Sequence, residues 1–450
     1  MVREIIIIGS GAAGITAASS AREADPDAKI TVFTEDTDIA YSPCVIPWAV
    51  EGKVSWESAV MHTPDDYRSE KNIEVFIKTK VESVNDSAKT VTAAGRSYKY
   101  DSLVIAAGGK VFVPPVKGTA LEGVFTVRTL QDGKAIQSYL KNVSSIVVCG
   151  AGMVGLEMAF AFSVLGKDVT VVEMFDQVIP RTADKDMADP MQEYLESKGI
   201  KFVLSAPLQS VNGTGKVDGV TAGGKEYPCG MVVFATGKRA NTGIPEQLGF
   251  DIGQLGGVIV SPTLQPYKRG RLVPDIYLAG DMIQCESAVM PGPTVSLLGT
   301  SAVRQGKVAG TNAGGGREIY GPVASPWVSV IGEKEIAGTG LSLGLASWYG
   351  IDAVFGKADG LTRARYYPDT KKITVKVLAE PMTHRMIGAQ IVAGEGATGR
   401  IDWLTSAITS GITAEDFLVR SENAYCPPTS MVKDVVISAV EDLCKKFRAL

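Results

Sequence analysis

Ile5-Ile6-Ile7-Ile8-Gly9-Ser10-Gly11-Ala12-Ala13-Gly14 is the stretch whose reading decides the fold. Four consecutive β-branched residues read as a buried strand, and Gly9, Gly11 and Gly14 form the Gly-x-Gly-x-x-Gly turn that lets a backbone approach a pyrophosphate. Ile15 to Arg22 supplies the helix that must follow, and phosphates would sit on its N-terminus, where unpaired N–H groups and the helix dipole favour negative charge. A second strand, Lys29 to Phe33, leads to Glu35, about 20 residues past the last glycine, where a carboxylate takes ribose hydroxyls. A merely tight βα turn is the plainer alternative; strand, helix and acid together favour the nucleotide site.

From Ser145 the pattern recurs as Ile146-Val147-Val148-Cys149-Gly150-Ala151-Gly152-Met153-Val154-Gly155, a helix through Leu165, and a strand from Asp168 closing at Glu173. Two such units are far more specific than one, because chance matches in full context must coincide. They predict two dinucleotide sites. No arginine follows Glu173 immediately to neutralise a 2′-phosphate, which leans toward NADH over NADPH, and Arg181 further on moderates that preference. Ser102 to Gly109 and Met231 to Gly237 each read as a buried strand ending in glycine, and Asp275 to Asp281 as a strand running into a Gly-Asp turn. Asn72 to Tyr100 reads as a β-meander with turns at Asn85-Asp86 and Ala94-Gly95, and Pro114-Pro115 marks a boundary.

At 450 residues the chain exceeds what one hydrophobic core usually serves, so two or three domains are expected. A formal net charge of -4 with scattered basic residues leaves no electrostatic footprint for nucleic acid or an anionic membrane surface. No apolar stretch approaches the roughly 18 residues of a membrane span, and nothing resembles a targeting segment, so a soluble, cytoplasmic protein is expected. Six cysteines, Cys44, Cys149, Cys229, Cys285, Cys426 and Cys444, lie too far apart for a disulfide framework or a Cys-x-x-Cys metal site. Only His62 and His384 are histidines, which argues against a histidine-based triad or metal site, and no metal is expected.

Cys44 follows Pro43 and precedes Pro47, a pattern that puts it at or near a helix N-terminus, a setting that favours the thiolate as nucleophile. The alternative is a buried, inert cysteine packing as a small hydrophobe.

With two glycine units, the Ala235-Thr236-Gly237 strand end, Ala279-Gly280-Asp281 and a single cysteine soon after the first unit, the whole chain resembles the pyridine nucleotide-disulfide oxidoreductase family. The segment around Cys44 is similar to its single-cysteine branch of coenzyme A-disulfide reductases, NAD(P)H sulfur reductases and related NADH oxidases. The resemblance implies an α/β fold of two Rossmann-like dinucleotide-binding domains, for FAD and NAD, plus a C-terminal α/β dimerisation domain. It places an FAD-binding domain at 1–112 and 238–320, an NAD(P)H-binding domain at 113–237 and the interface domain at 321–450. FAD is implied on Gly9, Gly11, Ala12, Ala13, Gly14, Glu35, Ala107, Gly108 and Asp281. NADH, with NADPH as the alternative, is implied on Gly150, Gly152, Met153, Val154, Gly155, Glu173 and Gly237. Cys44 is then the redox thiol beside the flavin.

Departures narrow the choice. Two-cysteine members carry Cys-x4-Cys, yet position 49 is Ala49, and their C-terminal His-Glu motif is missing. Peroxidase and water-forming oxidase members place a histidine inside the first glycine turn, where this chain has Ala12, so sulfur chemistry ranks above oxygen chemistry. From Ile319 onward, strand-like runs at Trp327 to Ile331, Lys372 to Leu378 and Met386 to Ile391 alternate with helical stretches at Leu341 to Tyr349, Gly399 to Ser410 and Met431 to Phe447. There, Arg365-Tyr366-Tyr367-Pro368 and Ala424-Tyr425-Cys426-Pro427-Pro428-Thr429-Ser430 look like motifs of the dimerisation domain. The resemblance implies tyrosines reaching across a homodimer toward the partner's thiol: Tyr425, and Tyr366 or Tyr367 with the register open by one. Where the family has alanine this chain has Cys426, either an inert packing residue or a resolving thiol.

The expected reaction is reduction of a small-molecule disulfide, persulfide or polysulfide. Coenzyme A is a candidate substrate handle, with Arg22, Arg68 and Lys71 either gripping its phosphates or serving as solvated surface charge. An NADH oxidase forming hydrogen peroxide and an FAD/NAD electron-transfer subunit for a protein partner are the alternatives, and a tetramer the alternative assembly.

Overall fold

In the computed structural model, which describes residues 2–448, the run of isoleucines forms strand Glu4–Ile8 at the middle of a five-stranded parallel sheet. The strands run in the order Ile276–Leu278, Ser102–Ile105, Glu4–Ile8, Lys29–Phe33, Ile73–Phe76, all parallel. A strand buried on both faces has no use for polar alternation, and Ile5 to Ile8 are accordingly all buried. Helix Ala12–Ala24 follows the glycine turn, and helix Gly299–Ala313 returns to pack along it. Glycines make that approach feasible: a Cβ on Gly306 would lie 2.3 Å from the Ala13 carbonyl oxygen, and one on Gly310 2.2 Å from that of Ala17.

The second unit repeats the first. Lys201–Val203, Asp168–Val172, Ser145–Cys149, Met231–Phe234 and Val124–Thr126 form another parallel sheet with Ser145–Cys149 central. Each unit carries a three-stranded antiparallel insert, Val81–Asn85 to Arg96–Lys99 in the first and Leu208–Thr214 to Lys225–Pro228 in the second. The expected meander over Asn72 to Tyr100 is thereby shortened: Ile73–Phe76 joins the large sheet, because Asn72 caps the preceding helix in the left-handed region and redirects the chain. The chain enters and leaves the second unit through a paired ribbon, Gly109–Val111 against Lys238–Ala240.

The C-terminal part is a five-stranded antiparallel sheet ordered Trp327–Ile331, Lys334–Gly340, Met386–Ala393, Lys372–Ala379, Val354–Leu361. Helices Ala397–Thr409 and Val435–Phe447 cover one face. The sequence reading missed Lys334–Gly340, Val354–Leu361 and helix Ala414–Arg420, and began the last helix too early; it starts at Val435, capped by Asp434. Val354–Leu361 contains Gly356 and Gly360, residues that disfavour strands, for a tertiary reason: a Cβ on Gly356 would lie 2.1 Å from the Ala439 carbonyl oxygen.

The opposite face meets the second nucleotide unit through polar contacts. Gln390, Lys376 and Lys357 are lateral neighbours on three adjacent strands, and they face the start of helix Lys185–Ser197. Lys376 Nζ, 2% exposed, lies 2.9 Å from Asp184 and 2.8 Å from Asp186, and Lys357 Nζ lies 2.7 Å from Asp186. Burial works to raise the Asp186 carboxyl, yet hydrogen bonds from Lys357 and Lys376 outweigh it and hold the pKa below its usual value. Among the described residues no helix is long and apolar enough to cross a membrane.

Candidate functional site

The two glycine turns are built alike. Gly9 and Gly150 both have φ +104°, and their amides donate to Phe33 and Val172 carbonyls, each at 2.8 Å. The third glycines, Gly14 and Gly155, let helix and strand close together: a Cβ there would lie 1.9 Å from the Gly9 oxygen or 2.0 Å from the Gly150 oxygen. The middle glycines differ. At Gly11 and Gly152 an added Cβ meets nothing within 4 Å, so each faces open space in front of a helix N-terminus. Packed first and third glycines around an open second one are what a pyrophosphate cradle needs, and both turns fit a dinucleotide.

The strand ends converge beside the first cradle. Gly108 has φ +64°, Asn241 donates to the carbonyls of Ala107 and Gly108, and Asp281 lies against Gly109 with its carboxylate 3.1 Å from Lys238 Nζ. Gly280 fixes that turn by donating to Gln305 Oε1 at 2.7 Å. Gly237, φ +98°, occupies the matching strand end of the second unit. The two acids at the ends of the second strands differ: Glu35 is exposed, whereas Glu173 is buried and accepts from Ala151 N at 2.8 Å and Phe175 N at 3.0 Å.

Cys44 lies in a 3-10 turn, Pro43–Val45, that runs into helix Ile46–Glu51, as the two prolines predict. Its thiol is exposed, and Ile46, Val50 and Ala59 pack into the core of the second unit. The cysteine turn therefore belongs to the first unit by sequence and leans on the second by packing. Of the other cysteines, burial pushes Cys149 up to about 12 and Cys229, Cys285 and Cys444 up to about 11; Cys426 is exposed. Near the cysteine turn burial also lifts Tyr41 to about 12, with Asp36 adding to the effect, and raises Asp36 itself against the pull of Arg128.

Sequence reasoning passed over Glu157. It sits on helix Met153–Val164, lines a small cavity with Pro47, Trp48 and Glu51, and bonds to Ser329 at 2.6 Å; burial raises its pKa against that bond. Its signal was a lone acid two residues past Gly155 in an otherwise apolar helix. The histidines lie in unrelated contacts, His62 edge-on to Tyr67 and His384 stacked on Phe447.

The Tyr366 and Tyr425 hydroxyls are 2.9 Å apart, both residues exposed, while the Tyr367 ring lies beneath Arg363. The hydrogen bond to Tyr366, with smaller contributions from burial and nearby groups, raises the Tyr425 pKa above its usual value. Arg22 and Lys71 line one surface cleft of about 360 Å³ together with Ser19 and Glu23, but Arg68 is not part of it and pairs instead with Asp65 and Glu74. Within the cleft Arg22 donates to the carbonyls of Lys71, Asn72 and Pro26, and Lys71 Nζ contacts Ser19 at 2.9 Å.

Residues 3–306 match the family model described as pyridine nucleotide-disulphide oxidoreductase, and residues 327–435 its dimerisation domain. A protein named NADH oxidase from Methanocaldococcus jannaschii is 43% identical over 98% of this chain and 99% of its own. An NAD(P)H coenzyme A polysulfide/persulfide reductase from Pyrococcus horikoshii is 31% identical, covering 97% of each chain. The solved NAD-dependent persulfide reductase of A. fulgidus superposes with a TM-score of 0.94 at 31% identity, over 99% of this chain and 84% of that one.

Proposed function

The chain belongs to the pyridine nucleotide-disulphide oxidoreductase family, and on that premise we propose that it reduces a low-molecular-weight disulfide, persulfide or polysulfide with NAD(P)H through the single thiol of Cys44. It is an FAD-dependent NAD(P)H oxidoreductase. Bound FAD supplies the two-electron relay between nicotinamide and sulfur. In this reading Gly9, Gly11, Ala12, Ala13 and Gly14 cradle the FAD pyrophosphate, Glu35 takes its ribose, and Ala107, Gly108 and Asp281 flank the rest. Gly150, Gly152, Met153, Val154, Gly155, Glu173 and Gly237 form the NAD(P)H site. The division into 1–112 with 238–320, 113–237 and 321–450 is part of the same reading and is supported by the paired ribbon at both crossings; Met1, Ala449 and Leu450 lie outside the described residues.

Exposure carries the proposal: among the six cysteines Cys44 and Cys426 reach solvent, and Cys44 is the one on a turn that follows the first nucleotide unit in sequence and runs into a helix packed on the second. The Cys44 thiolate attacks one sulfur of the oxidant. A bond from Cys44 to that sulfur forms as the oxidant's own sulfur–sulfur bond breaks, and the departing thiolate keeps the electron pair. Tyr425 of a second copy, held by Tyr366, gives the departing thiolate its proton. Electrons entering from NAD(P)H return the mixed disulfide to two thiolates. The cleft holding Arg22 and Lys71 is the place for a coenzyme A handle, if the oxidant carries one.

A second reading, an NADH oxidase passing electrons to oxygen, is favoured by the name of the M. jannaschii relative. Cys44→Ser separates the two. Under anaerobic conditions the variant is expected to lose about a hundredfold or more in NADH consumption with coenzyme A disulfide or polysulfide while NADH still bleaches the flavin. Undiminished sulfur turnover would end the Cys44 proposal, and unchanged peroxide formation in air as the main activity would favour the oxidase.

A further inference from the structure

The second glycine turn is fastened from a distance. Ala151, between Gly150 and Gly152, donates its amide to Glu173 Oε2 at 2.8 Å and accepts at its carbonyl from Ile179 N at 2.8 Å. Ile179 stands in the loop between strand Asp168–Val172 and helix Lys185–Ser197. Ile179 and Arg181 have φ of +49° and +67°, a region that side-chain-bearing residues avoid, and a backbone persists there only where its surroundings over-determine it. Inside the loop, Gln177 Nε2 donates to the Ala183 carbonyl at 2.9 Å.

The other contacts come from the C-terminal part. Ser342 Oγ donates to the Arg181 carbonyl at 2.9 Å, and Leu343 N donates to Asp184 Oδ1 at 2.8 Å. Gln390, 1% exposed, accepts from the Asp184 amide at 2.7 Å and donates through Nε2 to Asp184 Oδ2 at 2.8 Å. Lys376 closes the set, its ammonium 2.9 Å from Asp184 Oδ2, 2.8 Å from Asp186 Oδ1 and 4.4 Å from the centroid of the Phe355 ring. With Lys357 on Asp186, two cations meet two carboxylates and the charges cancel. Taking such ions out of water costs about what their attraction returns, and apolar side chains of the same volume would join the two parts as firmly. What the ions and amides add is direction: they fix where Asp184 sits and, through the loop back to Ile179, where the Ala151 carbonyl sits.

We propose that Lys376, on the C-terminal sheet, is a positioning residue for the second nucleotide site: it holds Asp184, Asp184 ends the loop, and the loop sets the Ala151 carbonyl and with it the glycine turn. The proposal rests on that turn being the NAD(P)H site and involves neither Cys44 nor the sulfur oxidant. Lys376→Met keeps much of the side-chain length and removes the ammonium. In anaerobic FAD-loaded enzyme this variant should need about tenfold more NADH for half-maximal flavin bleaching and bind NAD+ about tenfold more weakly by calorimetry. Reoxidation of its dithionite-reduced flavin by ferricyanide should stay within about twofold of wild type, because that step does not use the turn. Ser342→Ala removes the bond to the Arg181 carbonyl and leaves the ion cluster in place, so it keeps the test open should Lys376→Met not fold; about a threefold shift in the same two NADH and NAD+ measurements is expected. A melting temperature that falls in both variants while NADH dependence and NAD+ affinity stay at wild-type values would reduce the cluster to a structural role and overturn the proposal. Gly152→Val, which fills the open space before the helix, separates this from failure of the site itself: unchanged NADH use in that variant would unseat the turn as the NAD(P)H site, whereas lost NADH use there beside wild-type values in the other two would overturn the positioning role alone.

Discussion

Tyr425 shares its phenol with Tyr366 at 2.9 Å, and that bond raises its pKa above the usual 10.0. A raised pKa keeps the proton on the oxygen to higher pH, so a reaction that needs Tyr425 as donor loses rate only on an alkaline limb above the ordinary tyrosine value. Tyr366→Phe removes the leading cause of the shift. Its pH–rate profile with a disulfide should keep the limb but move it to lower pH, read from initial rates across the alkaline range. An unmoved limb would mean that another group titrates there. The motif Arg365-Tyr366-Tyr367-Pro368 located this pair to within one residue; the choice between its tyrosines needed the fold, because Tyr367 is held under Arg363.

At the scale of the element, the strand–turn–helix units show how three glycines in one motif do different work. Gly14→Ala sets a methyl 1.9 Å from the Gly9 carbonyl oxygen, and relieving that contact should cost about 3 kcal/mol and strip FAD, seen as a lower melting temperature and loss of flavin absorbance on purification. Gly11→Ala meets only open space, and its φ of -68° suits alanine, so stability should change by less than about 1 kcal/mol while FAD binds more weakly. Equal melting temperatures for the two variants would count against the cradle geometry.

For the whole molecule, Tyr366 at 75% and Tyr425 at 43% exposure leave a hydrogen-bonded pair of phenols standing in water on a single chain. We expect a second copy to cover it, with Cys44 of one chain completing the site of the other. Complementation tests this: Cys44→Ser and Tyr425→Phe proteins, each weak alone, should recover sulfur-dependent turnover when unfolded, mixed and refolded together, since each hybrid dimer holds one intact site. Light scattering should show a dimer throughout. Absence of recovery in a verified hybrid would place the tyrosines and Cys44 on the same chain or in separate roles.

The amino-acid sequence alone determined both nucleotide units, the cysteine turn and the motifs of the C-terminal part, because those features are local: the steric demand of Gly14 against the Gly9 oxygen, or of Pro43 beside Cys44, is set by neighbours in the chain. Tertiary structure alone decided that Val354–Leu361 is a strand, where Gly356 lets a helix approach, and that Arg68 stands outside the cleft of Arg22 and Lys71. It also decided the inward turn of Glu173, held by Ala151 N, the anchoring of the Arg181 carbonyl by Ser342, 161 residues on in the chain, and the pairing of Lys376 with Asp186, 190 residues apart. Contacts of that range are made only when separate elements pack, so neither their presence nor the direction of a side chain can be read from spacing.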